Sequence, residues 1–164
     1  MHRQSVAVFD RFLSALSNIL AKAEAQCEAK KYKPEVILAD RLFPDMFSFT
    51  RQIQLACDFA ARGVARLAGQ DPKGFPDTET SCAELRDRIA AARGYMASFD
   101  AADLAKATER QITFKAGGHD MTLSGPDFLS FYALPQFFFH VTTAYDILRH
   151  NGIDLGKRDY MGAP

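Results

Sequence analysis

The chain is expected to be all-α, a four-helix bundle with a small β-hairpin between the third and fourth helices. Three observations lead there. Apolar side chains recur at three- and four-residue steps over four long segments, the period of a helix with one buried face. The period drops to two only in "RQITFKAGGHDMTL", around a Gly-Gly pair. Between the segments lie stretches rich in Pro and Gly that can continue neither neighbour.

Val6, Phe9, Leu13, Leu16, Leu20, Ala23 and Cys27 stripe a first helix from about Ser5 to Lys30. "KKYKP" breaks it, and Pro34 opens a short helical turn through Ala39. Pro44 suits the first turn of the second long helix, where its missing N–H costs nothing. Met46, Phe49, Ile53, Cys57, Ala60, Val64 and Leu67 then keep the period up to Gly69, a natural stop. After the loop "GQDPKGFPD", "SCAE" reads as a capping box, with Ser81 accepting from the first turn and Glu84 reaching back. Leu85, Ile89, Ala92, Met96 and Phe99 stripe the third helix. Ile112 and Phe114, then Met121 and Leu123, alternate about Gly117-Gly118. Such a hairpin must lie against the helices, because two strands alone are marginal. Pro126 opens the fourth helix, which runs to about His150 and ends at Asn151-Gly152. Pro135 inside it removes one backbone hydrogen bond and predicts a kink. The tail "IDLGKRDYMGAP" reads as irregular, with Ile153, Leu155 and Tyr160 to dock it. No internal repeat is visible, and residues 1–164 read as one domain.

Composition narrows the function classes. Lys plus Arg equals Asp plus Glu at 20 each, so the net charge is zero. That speaks against a broad electrostatic footprint for nucleic acid or an anionic membrane. The apolar fraction is 48%, yet no segment reaches the roughly 20 apolar residues of a membrane span, and the N-terminus lacks a signal-peptide run. Three dispersed cysteines, Cys27, Cys57 and Cys82, fit reduced thiols in a cytoplasmic protein. Cys57 falls on an apolar face and reads as a small core residue. No nucleotide-binding, nucleophile-elbow or HExxH motif is present.

The candidate chemistry centres on His140. It shares an apolar stripe with Ala133, Phe137, Ala144 and Ile147, so its ring points inward. Three roles stay open: a core histidine bonded to a neighbour such as Gln136, a pocket-lining base, or a metal ligand. A metal in a bundle needs about three protein ligands on facing helices, with one position left open. Position 144, where a second imidazole would share the face, is alanine; His150 lies about 15 Å further along the axis. With Arg149, His150 suits the negative end of the helix dipole, while Asp146 has both within pairing distance on the surface. His119 belongs to the turn and His2 to the terminus. Asp58 borders the stripe through Cys57, at a solvated edge or facing the interior. Arg51 and Gln52 lie early on helix two, and Tyr145 with Asp146 is placed for a pocket mouth. Phe137, Phe138 and Phe139 cover most of a helix circumference, leaving one side for a dimer contact or an extra layer.

Taken together, "RLFPDMFSFTRQIQLACD", "ARLAG", "LPQFFFHVTTAYDILRHNG" and "GKRDY" resemble a bacterial domain family of unknown function placed with the DinB/YfiT-like bundles. The resemblance covers nearly the whole chain. It implies an up-down-down-up bundle, often dimeric. It also implies a divalent metal held by one His of helix two and an HxxxH pair of helix four, and relatives that are metal-dependent thiol transferases or a maleylpyruvate isomerase-type enzyme. Only His140 matches that ligand set; Ala144 replaces the second His of the pair, and Pro44–Ala68 contains no histidine.

Two readings follow. The first is a small-molecule-binding or interaction protein with a degenerate metal site, forming a homodimer and holding no cofactor. Its pocket residues would be His140, Phe137, Tyr145, Asp58, Gln52 and Arg51, and it would meet neither nucleic acid nor membrane. The alternative is a DinB-like transferase or hydrolase of a small substrate. It would use zinc, nickel or iron on His140 with Asp58 or Gln52 in support, or a thiol, or His140 as a general base.

Overall fold

A computed structural model describes residues 1–162; Ala163 and Pro164, at the end of the tail, lie outside the described residues. Helix α1 (Val6–Ala29) is followed by the single turn α2 (Glu35–Leu38), then α3 (Phe49–Ala68), α4 (Cys82–Ala97) and the short α5 (Ala101–Ala105). The hairpin β1 (Gln111–Ala116) and β2 (His119–Ser124) leads through the turn α6 (Gly125–Asp127) and a π-helical stretch over Phe128–Ala133. The chain ends with α7 (Leu134–His150) and α8 (Lys157–Met161). The structure is mostly helical with one small antiparallel sheet.

The four long helices share one core, in which α3 packs on α7 and α4 while α1 packs on α4 and α7. The periodic stripes face inward: Phe9, Leu13, Leu16, Ile53, Val64, Leu67, Leu85 and Ile147 are all fully buried. At the centre Phe9 meets Phe137 edge to face, centroids 4.8 Å apart, an arrangement that adds about 0.5–1.5 kcal/mol beyond area burial. In the hairpin Ile112 pairs with Leu123 and Phe114 with Met121. Gly117 and Gly118 have φ of 57° and 84°, the two left-handed positions of a two-residue turn. Ile112 and Phe114 are buried against the helices, which gives the two strands their stability.

Several expectations need correction. The second long helix does not begin at Pro44. Pro44 instead sits in a turn closed by Met46 N–H to the Phe43 carbonyl at 3.0 Å, where a fixed φ suits the second position. Phe49 N–H bonds the Asp40 carbonyl at 2.7 Å, which ties the 41–48 loop shut and starts α3 at Phe49. Ser81 does accept from Glu84 N–H, at 3.2 Å, but Glu84 reaches past it to Thr80, taking the backbone N–H at 2.6 Å and the hydroxyl at 2.9 Å. Ahead of Pro135 the chain passes through π-helical turns, which accommodate the hydrogen bond proline cannot make. The tail contains a helix: α8 packs on α1, and Tyr160 lies edge-on to Phe12 at 5.4 Å. That contact accounts for one of the three phenylalanines, because Phe138 meets the same Phe12 ring at 4.8 Å. Phe137 takes the core, and Phe139 is left 55% exposed.

Gly69 ends α3 with φ of 77°, and a Cβ there would lie 2.7 Å from the Arg110 guanidinium. That guanidinium donates to the Leu67 carbonyl, so Arg110 caps the helix end from outside.

Candidate functional site

α3 carries residues at 51, 52, 55, 58, 59, 62 and 66 toward α7, the hairpin and the 70–81 loop, and two neighbouring sites form along it. The first is built on His140. Its Nδ1 lies 2.7 Å from Gln52 Oε1, and the two residues are 5% and 1% exposed. Gln52 Nε2 donates to the Phe47 carbonyl at 3.2 Å, which turns Oε1 toward the ring. Nδ1 therefore carries the proton and Nε2 the lone pair. Phe59 stacks on the ring at 5.4 Å and Phe139 meets it edge-on at 5.3 Å. Burial, with Arg51 adding its charge, lowers the imidazole pKa to about 4, so the ring is neutral near pH 7. Gln136, the acceptor expected from spacing along one helix, is not the partner: the bond runs between helices.

The second site is a charged network. Asp58 is 5% exposed and faces the interior, with Arg88 at 2.8 Å and Arg62, one turn along, at 3.1 Å. Arg88 also reaches Asp77 at 3.0 Å, Glu79 at 2.9 Å and the Pro76 carbonyl at 2.8 Å, which binds the 70–81 loop over α3. Arg51 pairs with Asp77 and donates to Gln54 Oε1 at 3.1 Å. Burial raises the Glu79 carboxyl, but hydrogen bonds from Arg88 and Gln54 outweigh it and hold the pKa below the ordinary value.

Beside this network a cavity of about 210 Å³ opens between α3, β1 and the π-helical stretch. Arg51, Asp58, Arg62, Arg66, Asp77, Lys115 and Tyr132 supply its polar wall, and Leu55 and Phe59 its apolar one. Phe59 thus separates the cavity from the His140 ring. Of the residues singled out from sequence, Arg51 and Asp58 line this cavity and Gln52 and His140 lie behind it. Phe137 is sealed in the core against Phe9, and Tyr145 stands elsewhere, against Tyr160 at 5.8 Å. Asp146 is exposed and forms no ion pair among the described residues. Sequence reasoning missed Arg62, Arg66 and Lys115. The signal was there for two of them: Arg51, Asp58, Arg62 and Arg66 are spaced to share one face of a helix.

The donor set does not fit a divalent metal at His140. Gln52 occupies one ring nitrogen, Ala144 offers no donor, and Asp58 is engaged by two arginines. Among the described residues no group of three or more His, Cys, Asp or Glu side chains is placed to hold a metal ion. The thiols are equally withdrawn: burial raises the pKa of Cys57 to about 12 and of Cys82 to about 11, and Cys27 shifts the same way. No helix among the described residues is long and apolar enough to cross a membrane.

Residues 1–161 match the family described as "Domain of unknown function (DUF1993)", and the chain belongs to that family. It is similar to a DinB family member protein from Shewanella denitrificans, known from a crystal structure. The two are 43% identical over 99% of this chain and 92% of that one, with a TM-score of 0.91. The fold is therefore DinB-like. No curated protein matches the chain.

Proposed function

We propose that this DUF1993 protein is a small-molecule-binding protein of the DinB-like four-helix-bundle type, with up-down-down-up topology, in which the metal position has become a structural lock. The observation that carries the reading is the His140–Gln52 pair. A buried amide holds the one imidazole available to a metal, and no carboxylate or thiolate converges on it. The cavity flanked by Phe59 is the place for a ligand, since it joins an apolar wall to several fixed polar groups. The transferase alternative has less support here. It asks for a metal whose donors do not converge, or for His140 as a base whose pKa of about 4 makes it weak at neutral pH.

Elemental analysis of untagged protein tests the first half: neither wild type nor His140→Ala should hold stoichiometric zinc, nickel or iron. Near-stoichiometric metal lost in the variant overturns the reading. For the second half, fragments that raise the wild-type Tm should lose their effect in Leu55→Trp, which fills the cavity. We also propose that the protein is a cytoplasmic homodimer, its exposed Phe131 and Phe139 forming the contact. A monomeric mass by sedimentation removes that part.

A further inference from the structure

We propose that the cavity between α3 and the hairpin binds the oxyanion end of a small molecule, a carboxylate or phosphate group; this rests on the small-molecule reading above and names its ligand class. Arg51, Arg62, Arg66 and Lys115 line the cavity and Arg88 lies against it, facing three carboxylates, Asp58, Asp77 and Glu79. Two positive charges are left over in a protein whose net charge is zero. The carboxylates are also fully engaged: Asp58 by Arg88 and Arg62, Asp77 by Arg88 and Arg51, Glu79 by Arg88. Arg66 forms no ion pair among the described residues, and neither does Lys115, which stands opposite Asp120 in the strand register, so the surplus is carried by these two residues.

Arg66 is positioned for a ligand. Its guanidinium carbon stands 5.9 Å from the centre of the Phe114 ring, on a strand held by the core. Burial lowers its pKa, with the charge of Arg62 acting the same way and Tyr132 opposing it. Guanidinium forks match two oxygens of a carboxylate or phosphate at once, and the Tyr132 hydroxyl offers one more donor. The volume of about 210 Å³ equals about seven waters at ~30 Å³ each, room for one small anion and a short body against Leu55 and Phe59.

The test is calorimetric titration and thermal unfolding of the full chain with sodium phosphate and sodium succinate, against sodium chloride at matched ionic strength. At least one oxyanion should bind and raise Tm beyond the chloride control. Binding should weaken about tenfold in Arg66→Gln and in Lys115→Gln, the loss of one charge-assisted hydrogen bond each. Lys115 is exposed on its strand, so that variant keeps its fold and decides the matter if Arg66→Gln does not. Response to phosphate alone assigns a phosphate-bearing ligand, and response to succinate alone a carboxylate. Binding no better than chloride, or equal in wild type and Lys115→Gln, overturns the proposal. If neutral fragments still bind and are lost in Leu55→Trp, only the anion assignment falls. If nothing binds, both readings fall.

Discussion

His140 on α7 and Asp58 on α3 are buried to the same degree, each 5% exposed, yet the protein treats them in opposite ways. His140 meets a neutral amide and two aromatic rings, and its ring gives up its charge. Asp58 meets two guanidiniums and keeps its ion pairs. Burial sets the cost of a charge; the partner supplied across the helix interface decides whether the charge is kept. The neutral pair joins α3 to α7, while the charged network ties the 70–81 loop to α3 and adds polar groups to the adjoining cavity.

Arg88→Ala should have the largest effect, because it leaves the partly buried Glu79 with no cation and the buried Asp58 with Arg62 alone. A loss of about 3–5 kcal/mol in urea denaturation is expected, and proteolysis should find the freed 70–81 loop. A loss below 1 kcal/mol would mean the network is dispensable.

Acid provides the next test. The His140 pKa falls from 6.5 unfolded to about 4 folded. The unfolded chain therefore takes up a proton first, so stability is full above pH 6.5 and declines as pH falls toward 4. A shift of that size corresponds to about 3 kcal/mol. Glu79, depressed below its ordinary 4.5, contributes stability that is lost only lower, as pH falls through its folded pKa. Denaturation at pH 7 and pH 5 should separate wild type from His140→Gln, whose stability changes less over that window. An imidazole signal that titrates near 6.5 in the folded protein would contradict the burial argument.

The smallest effect is expected at the hydrogen bond. Gln52→Leu keeps the volume but leaves Nδ1–H without an acceptor, at a cost of about 1–3 kcal/mol. Restoration by Gln52→Glu at acid pH but not at neutral pH would show that charge, and not shape, is what the position refuses.

Much of the fold was legible because helices α1, α3 and α7 each have a clear apolar period, α4 keeps a weaker one through Leu85, Ile89, Ala92 and Met96, and a Gly-Gly pair between alternating runs specifies a hairpin. Local errors arose where a long-range bond overrode local preference. Pro44 is a good first helical residue, but Asp40 to Phe49 closes a loop around it. Spacing along one helix offers Gln136 to His140, whereas the partner it has, Gln52, lies 88 residues away on α3.

Periodicity along the chain thus determined which residues face inward, including His140 and the stripes beside Asp58, because a helix fixes the angle between its own side chains. What those residues meet is a matter of how α3, α7, α4 and the hairpin come together. Only that packing could set Gln52 against His140, Arg88 against Asp58, and Arg66 with Lys115 at one cavity wall, since pairing between elements depends on distances the local period does not contain.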